Sequence, residues 1–142
     1  MTAGLDGPVG RIAAYAIRPL LLYARFGGRA PRAELCWFTL LVIGILGAAE
    51  GFDWLIFGAA SWARPDFFGI VATVALVPPS IAVTARRLHD VDRSGWWQLL
   101  LLLPIIGWIA ILGWCLRPGR RGSNAYGPDP LRRYHRIDPV LP

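Results

Sequence analysis

The sequence predicts an all-α integral membrane protein, with three kinked transmembrane helices preceded by an interfacial amphipathic helix. Three observations carry that prediction. Of 142 residues, 55% are hydrophobic and only 17% charged, against roughly 25% charged in an average soluble domain. A soluble fold of this length has too small a core to hide so much apolar surface. The apolar residues are also gathered into three long stretches. Finally, the tryptophans sit at the stretch ends, where Trp37, Trp54, Trp62, Trp96, Trp97 and Trp114 suit the aromatic belts of the two membrane interfaces. Strands are excluded because the stretches are too long and lack the alternation of a membrane barrel.

Residues 1–34 form a basic arm with five arginines. Arg11, Arg18, Arg25 and Arg32 recur every seven residues, so on a helix they share one face with only about 20° of drift per step. Ala13, Ile17, Leu20 and Ala24 fall opposite. This pattern predicts a helix lying in the membrane surface, with Arg11, Arg18 and Arg25 on anionic lipid head groups. Pro19 should kink it, and Gly27 with Gly28 should end it. No apolar core separates the arginines, as it would in a cleaved signal peptide.

The membrane domain covers residues 35–116, with spans over about 35–57, 67–88 and 95–116. The first is interrupted only by Glu50 and Asp53, and as a helix it is about 34 Å long, enough to cross a hydrocarbon layer of about 30 Å. The cores of the other two, Phe67 to Ala85 and Trp96 to Leu116, carry no charge. Pro78, Pro79 and Pro104 each remove a backbone donor where no water can replace the lost bond, so kinks packed against a neighbour are expected there. Gly44 with Ala48, and Gly47 with Gly51, offer a small-residue seam to another helix. The remainder, residues 117–142, is a basic, turn-rich tail in which Asn124 to Pro130 reads as successive turns.

Arginine counts orient the chain. Five precede the first span and Arg64 alone follows it, which places the N-terminus in the cytoplasm, and Arg86, Arg87 and Arg93 between the later spans agree. The tail conflicts, because three full crossings would put Arg117, Arg120, Arg121, Arg132, Arg133 and Arg136 outside. Either the first helix dominates and three spans stand, or Pro104 and Gly107 break the third stretch into a re-entrant hairpin. Three kinked spans are the expectation; a cytoplasmic tail would overturn it.

The most informative polar stretch is ARRLHDVDRSGWW, residues 85–97. On a continuing helix Arg86 and Asp90 are four apart and His89 lies one turn beyond Arg86, while Ser94 is placed to cap the next helix. Read as a site, Arg86, Arg87 and Arg93 hold a phosphate or carboxylate and His89 and Asp90 move protons. Read as structure, Glu34, Arg86, His89 and Asp90 form a polar network that fixes a charged turn; this reading is preferred.

Residues 85–97 also carry a resemblance. With FGGRAPRAELCW at 26–37, ARRLHDVDRSGWWQLLLLLPIIGW at 85–108 and GSNAYGPDP at 122–130, the sequence resembles the bacterial inner-membrane family catalogued as domain of unknown function 805, over residues 26–130. Leu35 and Cys36 stand where that family usually carries an aromatic before Trp37. The resemblance implies a small multi-pass protein of the bacterial inner membrane and implies no reaction.

Other chemistry finds little support. Glu50 and Asp53 share a helix face and are candidates for a proton or cation path, or are hydrated at the outer interface. Cys36 and Cys115 read as packing residues. Together with His89 and His135 they give no metal-ligand spacing. No phosphate-cradling glycine loop or nucleophile elbow is present, and no cofactor is implied. LRRYHR at 131–136 is too short to predict nucleic-acid binding. The function expected is that of a non-enzymatic accessory or scaffold subunit whose partner is anionic lipid, a membrane protein complex or a second copy. A membrane enzyme or carrier for a phosphate-bearing lipid, acting through the RRLHD run, is the alternative.

Overall fold

A computed structural model describes residues 8–58 and 67–131. The loop holding Trp62 and Arg64, and the segment holding Arg132, Arg133, His135 and Arg136, lie outside the described residues. Those described form helices α1 (Pro8–Leu21), α2 (Arg32–Phe57) and α3 (Phe67–Asp90), a 3-10 helix η1 (Gly95–Leu102) and α4 (Ile106–Leu116).

Helices α2 and α3 have 26 and 24 residues, roughly 39 and 36 Å at 1.5 Å per residue. They pack antiparallel. At one end Arg86 meets Glu34, and at the other Asp53 Oδ2 accepts from Phe68 N and Gly69 N at 3.1 and 3.2 Å. Asp53 thus serves the first turn of α3, whose amides have no helical acceptors. Leu40, Ile43, Phe52, Leu55, Val71 and Val74 are exposed along the pair, while Glu34 and Arg87 are 0% exposed. Apolar outside and charged inside is the arrangement of a chain solvated by lipid tails.

The prolines of α3 are accommodated. Pro79 has no N–H for the carbonyl four residues back, Ala75, and the Tyr23 hydroxyl donates to that carbonyl at 2.7 Å. Ser80 and Thr84 donate to the carbonyls of Leu76 and Ser80.

The N-terminal helix is shorter than its arginine repeat. It ends at Leu21, so Arg11 and Arg18 lie on it, Arg25 lies in the following turn and Arg32 begins α2. Pro19 is buried within its last turn. The predicted single arginine face is therefore divided, and Arg18 turns inward to Glu34. Nor does α1 stand apart from the bundle. Arg18 lies level with the Glu34–Arg86 pair, whereas Tyr23 reaches Ala75, eleven residues from Arg86 along α3, roughly 16 Å. The chain descends along the helix pair between these levels.

The third apolar stretch, expected as one kinked helix, is a hairpin of two short pieces. The α4 limb has 11 residues, about 16 Å long. Between the limbs Ile105 adopts φ 68° and ψ −67°, and Ile106 N bonds Pro104 O at 2.8 Å. That is a γ-turn of the strained, non-inverse kind. Gly107 then passes against η1 so closely that a Cβ there would lie 1.6 Å from Leu100 O. Trp108 Nε1 donates to Leu101 O at 3.2 Å, satisfying one carbonyl at the tip.

Two apolar clusters sit near the Arg86 end. Ala30, Phe38 and Val83 form one; Leu88, Ile111 and Cys115 form the other, with Leu35 packed against both. The predicted seam of α2 packs against nothing among the described residues. Gly44, Gly47, Ala48 and Gly51 are exposed, and a Cβ at any of the three glycines would meet nothing within 4 Å.

Candidate functional site

The charged residues converge where α1, α2, α3 and the tail meet. Helix α3 ends there in a Schellman turn. Asp92 N bonds His89 O, Arg93 N bonds Leu88 O at 2.9 Å, and Asp92 takes φ 64°. The turn leaves Arg86, Arg87, His89 and Asp90 in the last helical positions, with Arg86 facing α2 and Arg87 paired with Asp90.

Arg86 points to α2. Its NH2 lies 3.2 Å from Glu34 Oε1, and Arg18 NH1 lies 3.2 Å from Oε2. One carboxylate in the first turn of α2 thus ties three helices together, and that position also favours negative charge.

Arg87 and Asp90 point the other way and pair with each other. Asp90 Oδ1 also accepts from Arg29 Nε at 2.9 Å. Arg87 donates to Cys115 O at 3.0 Å and to Arg117 O, against the carbonyl end of α4. Arg29 donates to the carbonyls of Arg120, Gly122 and Gly127. Backbone contacts repeat the attachment: Arg120 N bonds Asp90 O at 2.9 Å and Asn124 Nδ2 bonds His89 O at 2.8 Å. Tail residues 117–127 are therefore held against the end of α3. Gly119 lies so close that a Cβ on it would be 2.0 Å from Asp90 Oδ2.

The two clusters hold two carboxylates and four guanidiniums, and the surplus positive charge of the Asp90 cluster is met by carbonyls. Isolated charges in such surroundings would cost several kcal/mol each, and hydrogen bonds on every side offset that. His89 stands beside them, its ring stacked on Tyr126 at 3.9 Å and Nδ1 3.1 Å from Gly28 O.

Three blocks of sequence build this cap: the stretch from Arg25 to Glu34, the end of α3 and the turns after α4. The family described as "Protein of unknown function (DUF805)" matches residues 23–128, which contain all three. The chain belongs to the DUF805 family. "Inner membrane protein YhaH" of Escherichia coli (strain K12) is 40% identical over 123 residues, 80% of this chain and 93% of YhaH. "Inner membrane protein YhaI" of the same strain is 41% identical over 108 residues, 76% of this chain and 87% of YhaI. "Uncharacterized protein YiiR" is 45% identical over 47 residues, 32% of this chain and 30% of YiiR. No solved structure matches. This DUF805 chain is a membrane protein of unassigned activity, similar to proteins named for the inner membrane.

Within the DUF805 chain, the residues singled out from the sequence fall into separate groups. Glu34 and Arg86 are together; Asp90 pairs with Arg87 and Arg29, not with Arg86; His89 contacts Gly28 and Tyr126. The anion site predicted from Arg86, Arg87 and Arg93 is not assembled. Arg86 and Arg87 are 2% and 0% exposed and face internal partners, while Arg93 lies over the rings of Trp97 and Trp114. Arg18 likewise serves Glu34, whereas Arg11 and Arg25 are exposed. Glu50 is exposed, whereas Asp53 is buried and accepts from the first amides of α3. Sequence reading missed Arg29, Gly119, Asn124 and Tyr126. For Asn124 and Tyr126 the available signal was the turn-rich block at 122–130, whose partner nothing in the sequence names.

Proposed function

We propose that the protein is a non-enzymatic accessory or scaffold subunit of the inner membrane that crosses it twice, through α2 and α3. The η1–α4 hairpin enters and leaves on the cytoplasmic side, and the tail shares that side with the N-terminal arm. One observation carries this reading: Arg29, Arg87 and Asp90 bind tail residues 117–127 at the end of α3 where Arg86 meets Glu34. A third crossing would separate tail and cap by the thickness of the bilayer. Two crossings also remove the conflict in the arginine count, because every cluster then lies on the positive side.

The internal partners of Arg86, Arg87 and Asp90 favour a structural role over catalysis or transport. A general acid or an anion-binding arginine needs an open face, and Arg86, Arg87 and Asp90 spend theirs on the chain itself. Exposed Arg11, Arg25, Arg117 and Arg121 are suited to anionic head groups, at about 1 kcal/mol per residue near the surface.

Reporter fusions test the topology. A C-terminal fusion reading cytoplasmic, together with a cytoplasmic N-terminal fusion, is the expected result. A periplasmic C-terminus would return the third stretch to a full crossing. Pull-down from mild detergent tests the accessory role, which requires a retained protein partner or anionic lipid.

A further inference from the structure

We propose that Arg93 and the groove beside it bind one anionic phospholipid, the phosphate on the guanidinium and an acyl chain along Leu99 and Leu100. The inference rests on the membrane-seated reading above and assigns a particular site to it.

Arg93 differs from its neighbours in the RRLHD turn. Its guanidinium carbon lies 4.7 Å from the ring centroid of Trp114 and 5.8 Å from that of Trp97, and those rings meet edge to face at 5.3 Å. Two indoles from two limbs of the hairpin thus hold one cation in place. Among the described residues its guanidinium has no ion pair and no hydrogen bond to an acceptor. The neighbouring carboxylate, Asp92, is taken by Arg120. Cation–π contact leaves the N–H edge of a guanidinium free, and that edge matches the oxygens of a phosphate.

The groove begins at one of these rings, Trp97. It is open, holds about 320 Å³, and is lined by Trp96, Trp97, Leu99 and Leu100. Along η1, Leu99 and Leu100 follow the tryptophans by three residues, roughly 6 Å at the 3-10 rise. The order from the cap inward is cation, indole, aliphatic side chain, which is the order of a phospholipid from phosphate through glycerol to acyl chain. Trp96 and Trp97 also keep indole N–H donors without acceptors among the described residues, suited to ester or phosphate oxygens. A choline head group would bring a second cation against Arg93, so the charge favours a lipid with net negative charge.

Native mass spectrometry of the full chain in mild detergent, titrated with phosphatidylglycerol, phosphatidylcholine or inorganic phosphate, tests the site. One tightly held phosphatidylglycerol per chain is expected, with Arg93→Ala weakening it about tenfold, the value of one charge-assisted contact. Leu99→Trp, at an exposed groove position outside both core clusters, fills the groove with Arg93 intact; it should weaken binding too and stands in if Arg93→Ala does not fold. Arg32→Ala, which removes an equal charge whose guanidinium is already engaged by Leu116 O, should bind as the parent does. Parental binding by both site variants overturns the proposal. So does equal binding of phosphatidylcholine, saturation by inorganic phosphate alone, or a second copy of the chain in place of lipid. If lipid is lost only when Arg11, Arg25, Arg117 and Arg121 are removed together, the site is wrong and the broader seating on anionic lipid stands.

Discussion

Tyr23 donates its hydroxyl to the carbonyl of Ala75 at 2.7 Å, and that carbonyl is the one Pro79 deprives of its helical donor. A residue outside the long helices thus completes the backbone of one of them. In lipid no water substitutes for such a donor, so the contact matters more than its exposed position implies.

Tyr23→Phe should therefore destabilise the protein by about 1–3 kcal/mol, the cost of an acceptor left without a donor in lipid. Because Pro79→Ala restores a local N–H, the tyrosine substitution should cost much less in that background. Denaturant unfolding of the four proteins of this cycle in detergent checks it; equal costs in both backgrounds would mean the bond contributes nothing.

Asp90 holds two guanidiniums that also bind the tail. Asp90→Ala leaves Arg29 and Arg87 without their carboxylate, and a loss of about 3–5 kcal/mol is expected from a broken buried pair. Tail release has its own readout. Buried Cys115 should become reactive to a water-soluble thiol reagent in a Cys36→Ser background, and the tail should become protease-sensitive. Gly119→Val, which drives a side chain into Asp90, should do the same without altering any charge.

The hairpin tip makes opposite demands at neighbouring positions. Gly107→Ala places a Cβ 1.6 Å from Leu100 O and should open the hairpin, seen as loss of folded protein in detergent. Ile105→Gly should be neutral or stabilising, since a side chain at this φ and ψ costs of order 1–3 kcal/mol. A Gly107→Ala protein as stable as the parent would mean that the limbs do not approach as described.

At the other cluster, Glu34→Gln leaves Arg18 and Arg86 facing a neutral amide. A loss of about 3 kcal/mol or more is expected. Adding Arg18→Ala should recover part of it, because one of the two uncompensated charges is then gone. No recovery in thermal unfolding would show that Arg18 contributes no charge interaction there.

Part of this molecule was legible in the chain. The all-helical class, with α2 and α3 as long apolar helices, came from hydropathy, and the family came from its motifs; both are local quantities. The arm misled because a seven-residue arginine repeat records only what a helix would do if it continued. Leu21 ends α1, and Glu34 draws Arg18 inward. Arg29 lies in the FGGRAPRAELCW block, but nothing in that block names Asp90 and three tail carbonyls as its partners.

The sequence by itself determined a helical membrane protein and its family. Hydrophobic content, charge placement and motif order are properties of the chain that no packing can change. Only the tertiary structure decided what the third apolar stretch becomes and where the tail lies. Hydropathy measures whether a segment tolerates lipid, and both a crossing and a hairpin satisfy it. The hairpin follows from Ile105 turning, Gly107 giving room, and Arg29, Arg87 and Asp90 binding the returning chain. Those contacts exist only once distant residues have met.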